Sequence, residues 1–189
     1  MATSLLKRGF KSQAEKKSIE FREILSLDAW QPICAFELAE YLKVPTYKAT
    51  DFVSEENEIK ILKGKEWSAM TLFTKKDNRI IIYNPFHSDQ RQQSDIMHEL
   101  AHIICDHKRE LNKYNFKVPF GMHEFDEVQE EEAKCLGATL QLSKACLFWS
   151  KKRNFTYEEM AIKFNSSTEM VKYRMNMTGI AKLRKTSHN

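Results

Sequence analysis

The stretch SDIMHELAHIICDH, residues 94–107, narrows the fold more than any other part of the chain. Met97, Leu100, Ala101 and Ile104 recur at helical spacing and form an apolar face. His98 and His102 stand four residues apart, so the same helix carries both imidazoles on one side. A fold that accepts this helix must bury the apolar face and keep space beside the histidines. Ser94 reads as the N-cap, with Asp95 in the first turn.

Two imidazoles one turn apart can hold one metal ion at about 2.0–2.1 Å. Glu99 follows the first histidine, where its carboxylate can reach a water on that ion and take its proton. The three fixed letters of HExxH arise by chance in about one chain in a couple of hundred of this length. Set on a well-formed helix, they read as a zinc site, with His98 and His102 as ligands and Glu99 as general base. A catalytic zinc takes three protein ligands and leaves one position open. The longer pattern HExxHxxGxxH is closed, because Cys105 and Lys108 stand where it needs glycine and histidine, and His107 is one position out of register. The third ligand is therefore expected in QEEEAKCLGATL, at Glu130, Glu131 or Glu132, or at His123 or Glu124 before it. Tyr114, His123 and His107 are candidates to stabilise an oxyanion.

Around this helix the chain reads as α+β, mainly helical. Phe10, Ala14, Lys17, Phe21, Ile24 and Leu25 predict a helix over 10–26. Pro32 opens a short helix, ICAFELAEYLKV, that stops before Pro45. The β-rich runs 67–73 and 79–83 flank the polar TKKDN and predict a hairpin, hence a small antiparallel sheet beside the HExxH helix. After a loop over about 108–126 comes the helix EVQEEEAKCLGATLQL, apolar on one side. Two short helices follow over 157–164 and 167–175, with the cadence of a helix-turn-helix.

Charge is unevenly placed. Residues 151–189 hold nine Lys/Arg against three acids, +6, while the whole chain is +4, so residues 1–150 sum to −2. The basic tail suits phosphates, which makes DNA binding a subsidiary expectation. The four cysteines, Cys34, Cys105, Cys135 and Cys146, form no CxxC pair and read as buried free thiols, with Cys105 a conceivable extra ligand. No stretch approaches the ~20 apolar residues of a membrane span, and the N-terminus lacks the pattern of a secretory signal, so a cytoplasmic location is expected.

RIIIYNP, RQQSDIMHELAH and EEEAKCLGATLQLS, in that order, resemble the ImmA/IrrE family of zinc metallopeptidases. The family's downstream helix is similar in its E-x-x-A pattern, and GFKSQAEKKSIEFREILSL and YEEMAIKFNSSTEMVKYRM extend the likeness over most of the chain. The resemblance implies one zinc ion per chain held by His98, His102 and Glu130, with Glu131 as runner-up and Glu99 as general base. Three positions depart from the pattern. Lys134 stands where the family has Asp or Asn, and Gly137 and Ser143 replace its usual residues near the helix end.

The domains expected are an N-terminal helical segment over 1–28, a zinc metallopeptidase domain over 29–150 and a basic, helix-turn-helix-like segment over 151–189. The resemblance implies cleavage of a helix-turn-helix repressor, derepressing the genes it silences. The rival reading is a non-proteolytic regulator that binds DNA or a repressor and keeps a structural or vestigial zinc. A role in toxin–antitoxin or phage-defence systems on the same fold is a third.

Overall fold

The computed structural model describes residues 5–53, 55–64, 67–73, 78–107 and 126–182 of the 189-residue chain. The chain opens with α1 (Phe10–Ile24) and α2 (Ala35–Tyr41), followed by β1 (Thr46–Lys48), α3 (Glu56–Lys63), β2 (Ala69–Phe73) and β3 (Arg79–Tyr83). Five helices follow: α4 (Asp89–Ile104), α5 (Glu127–Gln141), α6 (Lys144–Lys152), α7 (Tyr157–Lys163) and α8 (Thr168–Thr178). Among the described residues no helix is long and apolar enough to cross a membrane.

The expected antiparallel pair forms, with Met70 opposite Ile82 and Thr71 opposite Ile81. It belongs to a larger, mixed sheet. Strand β1, which no sequence pattern signals, lies parallel to β3 on its other side, so the strand order is β1-β3-β2. Three residues with mostly exposed side chains carry too little alternation to read as a strand. Residues 74–77 of the expected turn lie outside the described residues.

Helix α4 starts earlier than expected. Its N-cap is Ser88, whose hydroxyl accepts from Arg91 N, while Ser94 lies inside the helix and donates to the Gln90 carbonyl at 3.1 Å. The run DQRQQ looks like a polar loop in sequence because its side chains serve neighbouring backbone. Gln92 Nε2 donates to the His87 carbonyl at 2.7 Å, and Gln93 Oε1 accepts from Ala35 N, the first residue of α2, at 2.7 Å. Arg91 reaches Ser68 Oγ at 3.3 Å. Asn84, at the turn after β3, donates to the Leu62 and Trp67 carbonyls and accepts from Phe86 N. The bonds of Arg91, Gln92 and Gln93 tie the start of α4 to α2 and to the segments flanking β2 and β3.

Helix α1 keeps Ala14 and Phe21 inside, but Ile24 is 40% exposed and the polar Ser18 and Arg22 are buried in its place. The last carbonyls of a helix have no partner within it. Ser18 Oγ donates to Thr139 O and Arg22 Nη2 to Leu140 O, each at 3.0 Å, so α1 closes the C-terminal end of α5.

Three apolar clusters result among the described residues, a small one of Ala49, Leu62, Met70 and Ile82 and two larger ones. The largest joins α1, α2 and β3 to the inner faces of α4 and α5, through Ile96, Met97, Leu100, Leu136 and Leu140. The second gathers Leu142, Cys146, Leu147, Met160, Phe164, Val171, Met175 and Ile180 from α6 to just past α8. Met160, Ala161 and Phe164 meet Met170, Val171 and Met175 there, as their spacing predicts.

Candidate metal centre

Helices α4 and α5 pack closely because of Gly137. A Cβ on that residue would lie 3.1 Å from the Met97 carbonyl oxygen and 3.4 Å from His98 Cα. The departure at 137 is therefore a packing requirement. It lets α5 approach the turn of α4 that carries His98. Glu130, seven residues before Gly137, lies two turns back on the same face, so this contact sets its distance from the histidines. Ser143, the other departure near the helix end, caps α6 by accepting from Cys146 N.

His98, His102 and Glu130 come together, with ligand atoms all within 4.8 Å of one another. His98 Nε2 is 3.1 Å from His102 Nε2. Glu130 Oε2 is 3.2 Å from the first and Oε1 3.3 Å from the second. A tetrahedral site with bonds near 2.0 Å has ligand edges of about 3.3 Å, so this triangle has the size a zinc-like ion requires. Two facing imidazole nitrogens cannot both donate to each other, and the carboxylate adds acceptors only. A cation satisfies all three at once. Burial pulls the His98 pKa down, but its hydrogen bond to Glu130 and the charges of Glu99, Glu130 and Asp95 outweigh this and raise it. The bonds from His102 and His98 hold the Glu130 carboxyl well below the usual carboxylate range.

Glu99 is 8% exposed, and Thr71 Oγ1 on β2 donates to its Oε2 at 2.6 Å. This contact fixes the carboxylate beside His98 and ties it to the sheet.

Of the three consecutive acids on α5, each about 100° from the next, only Glu130 joins the histidine pair. Glu131 pairs with Lys134 at 3.8 Å. Lys134 is itself exposed and lies over the Tyr173 ring, so it takes no part in the cluster. Glu132 faces His107 instead: its Oε2 is 3.2 Å from His107 Nε2, and His107 Nδ1 is 2.9 Å from His102 Nδ1. Both ring nitrogens of His107 are thus engaged, one by Glu132 and the other by the far nitrogen of His102, so neither joins the ligand atoms. Burial and the neighbouring His102 lower the His107 pKa against the pull of Glu132. Burial, aided by Glu132, pushes the Cys105 thiol up to about 11, and its sulfur is not among the ligand atoms that converge. Tyr114, His123 and Glu124 lie outside the described residues.

Sequence spacing alone misses the His107 contact because a helix terminator makes it. Past the C-cap Cys105, Asp106 takes the left-handed conformation at φ 51. Asp106 N bonds Ile103 O and His107 N bonds His102 O, the paired bonds of a Schellman turn. The turn folds residue 107 back over residue 102. Arg79 on β3 secures it, donating to Ile103 O at 3.1 Å and to Asp106 Oδ1 at 2.7 Å.

Residues 54–176, more than half of the chain, match a peptidase family described as the IrrE N-terminal-like domain. The matched region contains α3 to α7, with β2 and β3 between them, and most of α8, and leaves α1, α2 and β1 outside. No curated protein matches the chain.

Proposed function

The chain belongs to the IrrE N-terminal-like peptidase family, and from that premise we propose that it is a zinc-dependent endopeptidase. The observation that carries this reading is the triangle of His98, His102 and Glu130, with Glu99 buried beside it. Two histidines and a carboxylate with an open position are a donor set of catalytic zinc. Zinc in such a site supplies Lewis acidity, activating water and polarising a peptide carbonyl.

The chain's own residues do the rest. Glu99 takes the proton of the attacking water and delivers it to the leaving amine. Thr71 occupies one of its oxygens and so orients the other. The substrate backbone is held along β2. Among the described residues β2 pairs with β3 alone, so its outer edge offers N–H and C=O groups to an extended peptide. Because Thr71 lies on β2, that edge runs past the catalytic carboxylate.

For the substrate we propose a helix-turn-helix repressor whose cleavage derepresses its genes, as the family resemblance implies. The test is co-expression with the helix-turn-helix protein encoded beside this chain, comparing wild type with Glu99→Gln. A shortened repressor with wild type and an intact one with Glu99→Gln is expected. If both leave the repressor intact while the wild type alters gene expression and holds zinc, the non-proteolytic regulator takes its place.

A further inference from the structure

We propose that His107 and Glu132 are positioning residues that determine which nitrogen of His102 carries the proton, and so make His102 a metal ligand. This rests on the metal-centre reading above. Glu132, His107 and His102 form an unbroken chain. Glu132 Oε2 to His107 Nε2 is 3.2 Å, and His107 Nδ1 to His102 Nδ1 is 2.9 Å. All three side chains are buried, at 9%, 5% and 5% exposure.

The chain has a direction. An ionised carboxylate only accepts hydrogen bonds. Facing it, His107 must present N–H at Nε2. A neutral imidazole then has its lone pair at Nδ1 and can only accept there. His102 therefore donates from Nδ1, which leaves Nε2 bare and aimed at His98 and Glu130. The reverse polarity would put the proton of His102 on Nε2, where it blocks coordination. Partners of this kind fix the tautomer of a ligand histidine and raise its basicity. They usually touch it directly; here the carboxylate acts through a second imidazole.

The chain also accounts for Lys134. The acid that the family pattern places at that position is absent, and the carboxylate serving a ligand histidine sits two residues earlier on α5. Lys7, its amine 3.6 Å from Glu132 Oε1, is 77% exposed and contributes little.

The test uses the full chain and zinc alone, titrated against a competing chromophoric chelator. In Glu132→Gln the amide can donate as well as accept, so the direction is no longer enforced and the charge is lost. Its zinc Kd is expected to rise about 10–100-fold. Lys134→Gln serves as the control and is expected to match wild type. A Glu132→Gln affinity within about twofold of wild type overturns the proposal. A second measurement needs no variant: ¹⁵N spectra of the imidazoles in wild type read the tautomers directly. The proposal expects the proton of His102 on Nδ1 and that of His107 on Nε2; a proton on His107 Nδ1 overturns it. A purely structural pair would leave the zinc affinity of folded Glu132→Gln at the wild-type value. If wild type binds no zinc, the metal-centre reading fails and takes this proposal with it. If wild type binds zinc and Glu132→Gln binds equally well, only the relay fails.

Discussion

Two regions gather buried polar groups, the face between α4 and α5 and the seam where α1 meets α5 and α8, and they handle them in opposite ways. At the seam, donors end on acceptors. Arg174, 1% exposed, donates to Leu142 O at 2.7 Å and to Glu15 Oε1 at 2.6 Å. Arg22, also 1% exposed, serves the Gln31, Ser18 and Leu140 carbonyls. Those arginines close the C-terminal end of α5, where a cation also meets the negative end of the helix dipole. At the α4–α5 face, two imidazole nitrogens and a carboxylate converge on one point. The first arrangement is complete within the protein. The second calls for a cation, and this contrast separates scaffold from site more sharply than burial or charge alone.

The largest effect expected on the site is chemical. Glu99→Gln should lower peptide cleavage about 10²–10⁴-fold while bound zinc, measured by metal analysis, stays at the wild-type level. Loss of zinc in this variant would remove the distinction between Glu99 and the triad.

At the seam the largest effect should be on stability. Arg174→Leu takes this donor from the Leu142 carbonyl and leaves the Glu15 carboxylate without its buried cation, with the Lys144 N–H still on its other oxygen, and should cost about 3 kcal/mol in urea unfolding. Its zinc affinity should remain that of wild type. A matching loss of affinity would mean that the two regions are coupled, against the contrast drawn above.

Gly137→Ala bridges the two regions. The added Cβ meets Met97 O at 3.1 Å, and the strain should cost about 1–3 kcal/mol. Because the clash separates the helices that carry the triad, zinc affinity should fall as well. Calorimetric titration and urea unfolding of the same sample would read both effects. A stability loss with unchanged affinity would show that Glu130 adjusts to the shift.

A smaller, graded effect follows from pH. In zinc-free protein the His98 pKa lies above its ordinary 6.5, so its contribution is fully present below 6.5 and is lost as pH rises through the folded value. The Glu130 pKa lies below its ordinary 4.5, so its contribution is present above 4.5 and is lost as pH falls through the folded value. The triad thus stabilises zinc-free protein most between these two ordinary values and less at pH 8. Zinc competes with the proton on His98, so zinc affinity should run the other way. Thermal unfolding at pH 6 and pH 8 should show the Tm of chelator-treated protein falling and the zinc-induced gain in Tm rising. Parallel trends would break the assignment of the triad.

Lys134→Gln should have the smallest effect. Its pair with Glu131 is solvent-exposed, and such pairs contribute about 0–1 kcal/mol. Unfolding and zinc titration should both stay close to wild type.

The sequence was legible wherever a local period carried the signal. The i, i+4 spacing of His98 and His102, the hairpin strands and the paired short helices α7 and α8 all follow from neighbours on one element. The start of α4 did not, because Gln92 and Gln93 point their amides at backbone rather than showing an apolar face. Helices α3 and α6 and strand β1 are short, and α3 and β1 bury little. Burial of Arg22 and Arg174 depends on carbonyls distant in sequence. The different fates of Glu130, Glu131 and Glu132 were illegible for a similar reason: three like letters are told apart only by what lies around the helix.

The turn at Asp106 has a consequence for how this protein can change. It spans a fixed count of residues from His102 to His107, and its two backbone bonds make that count a ruler. Residues 103–105 can be exchanged for others that suit the helix and the core. Their number cannot change, because a single residue added or deleted between the two histidines swings the second ring away from the first. In a library of variants, this stretch should accept many spellings and only one length.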